Sequence, residues 1–203
     1  MRYWLYTLLL FVFGACQGDS PSGERSVPYV TPDAQTIRQD FSVRLADSTQ
    51  TTFLETTLAA TLPKVFGPYQ ERRTEQASFS GRSARFSQSS AIYHMAEGQY
   101  LAIKISDYAR DSSAFLHLFD QYQKIESAAF PIIEGRKIEL PLSQTFGWSW
   151  KDSQSEVLYL SAGVMNRFHV QLQTNRPSGI VALEDAFRRI DWEKLERETE
   201  KNH

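Results

Sequence analysis

Three aromatic residues at alternating positions are the part of this sequence best suited to binding a ligand. Phe146, Trp148 and Trp150 are separated by Gly147 and Ser149, so in a β-strand the three rings lie on one sheet face. Such a row offers a large, rigid surface for sugars or other planar ligands. Aromatic rows in strands more commonly pack into the core beneath a helix. Exposure of Trp148 and Trp150 would favour binding, and we name the three residues as a candidate ligand-binding site.

The sequence contains none of the common catalytic or metal-binding motifs. It has no Gly-x-Ser-x-Gly nucleophile elbow, no glycine-rich phosphate loop and no His-Glu-x-x-His pair. The four histidines, His94, His117, His169 and His203, share no ligand spacing. Each is better explained as a satisfied or solvated side chain than as a metal ligand. We therefore assign no catalytic residue, no metal and no cofactor.

Asp107 is the best single candidate for a catalytic carboxylate, because it follows a hydrophobic strand pattern. Glycosidases use pairs of Asp or Glu that meet only in the folded chain, so the sequence leaves such a pair open. The nearby Asp111 favours loop and helix-cap chemistry for both residues instead. We therefore favour a protein that is not an enzyme, and keep hydrolysis by convergent Asp and Glu residues as the alternative.

The composition favours one ordinary globular domain. The chain has 203 residues, of which 41% are hydrophobic and 23% are charged, and these values are typical of folded proteins. A formal net charge of −2, from 22 Lys and Arg against 24 Asp and Glu, provides no excess of cations for nucleic acid. The single cysteine, Cys16, excludes an internal disulfide and any site that needs several thiolates.

The N-terminus has the features of a secretory signal peptide. One positive charge, Arg2, precedes an uncharged, largely apolar run that ends in the small pair Gly14-Ala15. The run is too short to cross the ~30 Å hydrocarbon core of a bilayer, which takes about 20 helical residues. A buried core helix would present a polar face, and a single threonine interrupts the apolar surface here. We therefore predict that residues 1–15 are a signal peptide.

The segment Phe13-Gly14-Ala15-Cys16 resembles the lipobox of bacterial lipoproteins. In that family the cysteine thiol receives a diacylglyceryl group, cleavage occurs before the cysteine, and the new amino group is usually acylated, as with palmitate. Two or three acyl chains hold a protein on a membrane stably, whereas one chain binds marginally. The resemblance therefore implies lipid attachment at Cys16, and the alternative is a free thiol within a cleaved leader.

The residues that follow Cys16 indicate to which membrane the protein is sorted. Gln17 is not the aspartate that is associated with inner-membrane retention in enteric bacteria, so the resemblance implies the outer membrane. The run Cys16-Gln17-Gly18-Asp19 is also similar to the short acidic export signals of Bacteroidota lipoproteins. Whether the protein faces the periplasm or the cell surface stays open.

Residues 16–39 have the composition of a lipidated cysteine and a flexible tether. Gly, Ser, Thr and Asp dominate the first part, and Pro21, Pro28 and Pro32 are spaced along it. The alternative is an ordered arm that packs on the domain. We place the folded domain at residues 40–198 and a short tail at residues 199–203.

Hydrophobic periodicity predicts that this domain is α+β. Helical spacing indicates three helices, near residues 52–62, near 111–125 and from about 181 onward. Gly163 is expected in the turn between the last two strands. Connections between strands are too short for parallel crossovers. We therefore predict a single domain with a mostly antiparallel sheet of about six to eight strands and three helices packed on it. The predicted strands are residues 41–45, 77–81, 84–93, 99–106, 136–142, 145–151, 155–162 and 165–173.

Three short segments resemble uncharacterised bacterial envelope proteins: residues 103–107 (Ile-Lys-Ile-Ser-Asp), 166–170 (Asn-Arg-Phe-His-Val) and 190–192 (Ile-Asp-Trp). These families imply no activity. The sequence as a whole predicts a lipid-anchored protein of the cell envelope, of non-catalytic binding or structural type. Its expected partners are the membrane, through the N-terminal lipid, and an envelope protein, peptide or glycan. The alternative is a hydrolase of envelope polymers that uses convergent Asp and Glu residues.

Overall fold

A computed structural model describes most of the domain. The described residues are 31–46, 53, 55–67, 69–80, 85–94, 98–109, 111–125, 135–152, 154–176 and 179–201. The predicted signal peptide, Cys16 and most of the predicted tether lie outside these residues. Within them, no helix is both long and apolar enough to span a membrane.

The described residues form five helices and eight strands, and the predicted α+β class is confirmed. The helices are α1 (Ala34–Ala46), α2 (Glu55–Ala59), α3 (Ser112–Lys124), α4 (Gly179–Arg188) and α5 (Trp192–Lys201). The strands are β1 (Val65–Phe66), β2 (Tyr69–Ser80), β3 (Arg85–His94), β4 (Tyr100–Asp107), β5 (Gly135–Ile138), β6 (Thr145–Lys151), β7 (Leu158–Val164) and β8 (Phe168–Thr174).

One antiparallel sheet contains all eight strands, in the order β1-β2-β3-β4-β8-β7-β6-β5. Strands β1–β4 and β5–β8 are two runs of sequential neighbours. They join where β4 pairs with β8, with Leu101 opposite Thr174. This pairing places polar and aromatic side chains from distant parts of the chain on neighbouring strands, where they line the site described below.

The two faces of the sheet are covered to different extents. Helices α2, α4 and α5 cover one face and enclose the larger core cluster. Helices α1 and α3 pack together on the other face, where α3 contacts β6 and β7. Strand alternation assigns each side chain to a face, and Phe146 and Trp148 belong to the face under α3. The buried members of that smaller cluster are Ile37, Phe41, Phe115, Leu118, Phe119, Ile125, Phe146 and Trp148.

The prediction of a strand at residues 41–45 is wrong, since these residues belong to α1. Residues 34–39, which the sequence analysis assigns to the tether, form the first part of this helix. Ile37 and Phe41 lie one helical turn apart and are both buried, and the Phe41 ring lies 5.6 Å from that of Phe115. Val43, which alternation places on the same strand face as Phe41, is exposed. Packing against α3 therefore selects the helical period over the alternating one.

Gly163 lies within β7 rather than in the predicted turn. A Cβ atom at this position would lie 2.2 Å from Cζ of Phe146, so only glycine leaves room for the ring on the neighbouring strand. The turn itself is made by Met165 and Asn166, which have φ angles of 54° and 48°. The predicted C-terminal helix is also divided, because Asp191 caps a new helix by accepting from the Lys194 amide at 3.0 Å.

Candidate functional site

The structure separates the three residues of the aromatic row. Phe146 and Trp148 are 2% and 5% exposed, so they belong to the core beneath α3. The Phe146 ring lies 5.1 Å from that of Phe119 and 5.2 Å from that of Tyr122. This is the core position that the sequence analysis gives as the more common one for aromatic rows in strands. Trp150 packs against the same cluster but is only partly buried.

Two neighbouring aromatic rings stack with that of Trp150. Its ring lies 4.9 Å from that of Tyr159, with an angle of 8° between the planes. It also lies 6.2 Å from the ring of Trp148, at 23°. Trp150 is therefore next to the buried Trp148, and Tyr159 extends the aromatic surface onto β7. Offset stacks of this kind are favourable beyond the area they bury.

A cavity of about 390 Å³ opens beside this stack on the same face of the sheet. We call it the Trp150 groove and define it by Ser90, Lys104, Trp150, Tyr159, Gln171 and Gln173. A second cavity of about 320 Å³ shares Trp150 and Gln171 with it and continues under α3, over Ser161 and His169. The volume of the groove falls in the range of small-molecule sites, about 300–1,000 Å³.

The strand register explains why these residues meet. One row across the sheet runs from Ser90 through Lys104 and Gln171 to Ser161 and Trp148. The adjacent row on the same face contains, in order, Ile92, Ala102, Gln173, Tyr159 and Trp150. Neighbouring strands lie about 4.8 Å apart, so each row brings polar and aromatic side chains into reach of one ligand. The small side chain of Ala102 leaves the depression between them.

Lys104 is the charged residue of the groove. Its side chain is about half buried, and burial lowers its pKa from the ordinary lysine value. Among the side chains that the structure describes, which do not include those of β2, it has no salt-bridge partner, and none of those that line the groove is an Asp or Glu. The groove therefore presents one partly desolvated positive charge next to neutral amides and aromatic rings.

Ser161 and His169 form a buried polar pair below the second cavity. The Ser161 Oγ and the His169 Nε2 lie 2.8 Å apart. Burial, and secondarily the charge of Lys104, lowers the pKa of His169 to about 3, so the imidazole is neutral near pH 7. An imidazole with so low a pKa is a weak general base. Ser161 also lies inside β7 with paired strands on both sides, where its backbone N–H is used in the sheet. The pair therefore suits packing better than nucleophilic catalysis.

Asp107, the candidate catalytic carboxylate, is held in a buried ion pair. Its two oxygens accept from Nε and Nη2 of Arg167, each at 2.8 Å, and both residues are almost fully buried. The amides of Phe53 and Ala109 donate to the same carboxylate at 2.7 and 2.9 Å. Asp111 caps α3 by accepting from the Ala114 amide at 3.0 Å. Both positions match the loop and cap chemistry that the sequence analysis favours.

A cavity of about 340 Å³ elsewhere contains three acidic residues. It lies between α1, α5 and the turn after β7, and its acids are Asp40, Glu196 and Glu200. Asp40 accepts a hydrogen bond from the Asn166 side chain, whereas Glu196 and Glu200 are exposed on α5. No group of three or more His, Cys, Asp or Glu residues in the described ranges is placed to hold a metal ion.

The sequence analysis singled out Trp150 but not Tyr159, Gln171 or Lys104, which line the same cavity. The alternation of β4 does place Lys104 on the face opposite the apolar Leu101, Ile103 and Ile105. A lysine in the middle of a strand with one apolar face was therefore a usable signal. The pairing of β4 with β8 and of β7 with β6, which assembles the groove, has no local signature.

No protein-family model matches this chain, and neither the curated proteins nor the solved structures include a significant match. Function is therefore inferred from the residues and their geometry.

Proposed function

We propose that this chain is a lipid-anchored protein of the bacterial outer membrane that binds a ligand in the Trp150 groove. The observation that carries this proposal is the composition of the groove. A partly exposed Trp150–Tyr159 stack lies next to Lys104, Gln171 and Gln173 in one cavity of about 390 Å³. Ligand sites typically combine apolar and aromatic walls with a few polar groups in this way.

The proposed location is supported by the N-terminal sequence. A positive charge, an apolar run and the lipobox-like Phe13-Gly14-Ala15-Cys16 occur together and in order. The residues that follow, up to the described helix α1, include three prolines and would give the domain reach from the membrane. The proposed ligand is therefore a component of the envelope, either a glycan or a peptide.

The surroundings of the side chains that could act in catalysis favour binding over catalysis. Asp107 is neutralised by Arg167 in the interior, and Ser161 and His169 lie in the sheet with an imidazole that resists protonation. The described residues of the groove include no carboxylate that could act as a general acid.

Tryptophan fluorescence tests the binding function. The full chain in detergent would be titrated with soluble glycan and peptide fractions released from bacterial envelopes. We expect at least one fraction to change the emission of the wild type, because Trp150 lines the groove. Trp150→Leu should lose the response, whereas Val181→Ala, an exposed apolar truncation on α4, should retain it. The proposal fails if no fraction changes the emission, or if Trp150→Leu responds like the wild type.

The alternative function, hydrolysis of envelope polymers, is supported by one observation, the cavity that contains Asp40, Glu196 and Glu200. If these residues act as acid and base, the full chain should cleave an envelope polymer. Asp40→Asn should then reduce the rate by at least about a hundredfold, the usual contribution of general acid–base catalysis. Release of reducing ends from envelope polysaccharide measures this, and cleavage that is unchanged in Asp40→Asn would exclude this site.

A further inference from the structure

The geometry points to a hexuronic acid unit of an acidic polysaccharide as the ligand of the Trp150 groove, with its carboxylate at Lys104 and its ring against Trp150 and Tyr159. This inference rests on the proposed function, since it assigns a ligand class to the same groove. Three properties of the groove support it: a half-buried cation with no salt bridge to a described side chain, an ordered pair of aromatic rings and a set of neutral hydrogen-bonding groups.

The charge of Lys104 favours an anionic ligand. Among the described side chains, which do not include those of β2, this ammonium has no salt-bridge partner and no Asp or Glu lines the cavity. A half-buried cation has lost part of its hydration, so an incoming carboxylate restores favourable electrostatic interactions. Charge complementarity therefore favours an anionic ligand over a neutral or cationic one.

The aromatic wall formed by Trp150 and Tyr159 favours a ligand with a flat, partly apolar ring. Trp150 and Tyr159 stack at 4.9 Å with nearly parallel planes, and the ring of the buried Trp148 lies 6.2 Å from that of Trp150. Because the wall is already ordered, a ligand that packs against it loses little side-chain entropy. The C–H face of a pyranose fits such a surface, since it is apolar and rigid.

The neutral polar groups of the groove favour a ligand that carries hydroxyl groups. Gln171 lies opposite Lys104 on the neighbouring strand, and Gln173 lies opposite Ala102 one row away. Each glutamine amide offers both donors and an acceptor, and Ser90 adds a hydroxyl on the far side of Lys104. A pyranose carries hydroxyls around its ring that can donate to and accept from these groups. A hexuronic acid is the ligand class that satisfies the charge, the wall and the amides together.

The decisive experiment compares each acid with its own uncharged form. Oligomers of galacturonate, mannuronate and glucuronate, and the methyl esters of the same oligomers, would be titrated calorimetrically into the full chain in detergent. We expect at least one acid to bind about tenfold more tightly than its ester, which is the contribution of one charge-assisted contact. Lys104→Gln should remove this difference, and Lys104→Arg should retain it.

Two further variants separate binding from folding. Trp150→Ala should weaken acid and ester alike, whereas Val181→Ala on the opposite side of the sheet should bind like the wild type. Thermal unfolding of each variant shows which of them are folded. Should Lys104→Gln fail to fold, the acid-to-ester ratio of the wild type and the binding of Lys104→Arg still decide the question.

The outcomes distinguish this inference from the function on which it rests. If acid and ester bind equally, or if none of the acids binds, the hexuronic acid assignment is overturned. The binding function survives either result provided that an envelope fraction still changes the Trp150 emission. If a peptide fraction alone binds, the groove is a peptide site and the assignment to an acidic glycan is wrong.

Discussion

The buried ion pair of Asp107 and Arg167 connects three parts of the chain. Asp107 ends β4, Arg167 lies in the turn between β7 and β8, and the carboxylate also accepts from the amide of Phe53. The guanidinium lies 4.3 Å from the ring of Phe53 and 5.2 Å from that of Phe168. The ion pair, the hydrogen bonds to the carboxylate and the ring contacts of the guanidinium therefore all involve the same two side chains.

Replacing Asp107 with Asn should therefore destabilise the protein strongly. The amide keeps the shape of the side chain but leaves the guanidinium of Arg167 buried without its counter-charge, at an expected cost of about 3–5 kcal/mol. Urea unfolding followed by circular dichroism measures the loss. Asp185→Asn is the matched control, since its pair with Arg189 is exposed and should contribute about 1 kcal/mol or less. Equal losses in the two variants would contradict a structural role for the buried pair.

His169 should make the stability depend on pH. In the unfolded chain the imidazole gains a proton as the pH falls through about 6.5, whereas burial holds the folded pKa at about 3. The unfolded state binds more protons between these values. The free energy of unfolding should therefore fall by about 1.4 kcal/mol for each pH unit below about 6.5, until the pH nears 3.

Substituting His169 with Gln should reduce the fall of the unfolding free energy with decreasing pH. The Gln amide can still pair with Ser161 but does not titrate. Stability curves at pH 4, 5, 6 and 7 measure the slope. His117→Gln, on the exposed side of α3, should leave it unchanged. A slope that is the same in His169→Gln as in the wild type would assign the acid sensitivity to other groups.

At the scale of elements, helix α3 forms the lid over Phe146 and Trp148. Asp111 begins the helix by accepting from the Ala114 amide at 3.0 Å, and Ser113 donates to the same carboxylate oxygen at 2.8 Å. Asp111→Ala should cost about 1 kcal/mol, because an amide of the first turn loses its partner. Asp120→Ala, an exposed change within the same helix, should be close to neutral. The difference in urea midpoint between the two variants measures the cap, and equal midpoints would contradict it.

The elements that sequence predicted best are those with a local cause. The cap at Asp111 and the alternation over residues 145–151 predicted α3 and β6, and the structure confirms both. The alternation of Phe41 and Val43 with polar residues predicts a strand over residues 41–45, whereas the structure places these residues in α1. Its true period depends on Phe115, which is distant in sequence and absent from any local window. The error follows from tertiary packing that overrides a short pattern.

At the scale of the whole molecule, the sheet order determines the site. Lys104 and Gln171 lie opposite each other although they are 67 positions apart in sequence, and Tyr159 reaches Trp150 only because β7 pairs with β6. Sequence alone identified the aromatic member, because alternation is local. It could not identify the lysine and amides as its neighbours, because strand pairing is a long-range choice among many possible orders.

The anchoring of the whole molecule is testable apart from the groove. If Cys16 carries the lipid, Cys16→Ala should move the protein from the membrane fraction to the soluble fraction of the envelope and abolish labelling with radioactive palmitate. Two or three acyl chains explain why one thiol should control location, since they bind a bilayer far more stably than the domain surface would. Gln17→Ala is the matched control and should leave both labelling and membrane association intact. Palmitate labelling and membrane association that persist in Cys16→Ala would show that another feature holds the protein there. Because Cys16 lies far before β6 in the chain, the released protein should still give the Trp150 fluorescence response, so location and binding can fail separately.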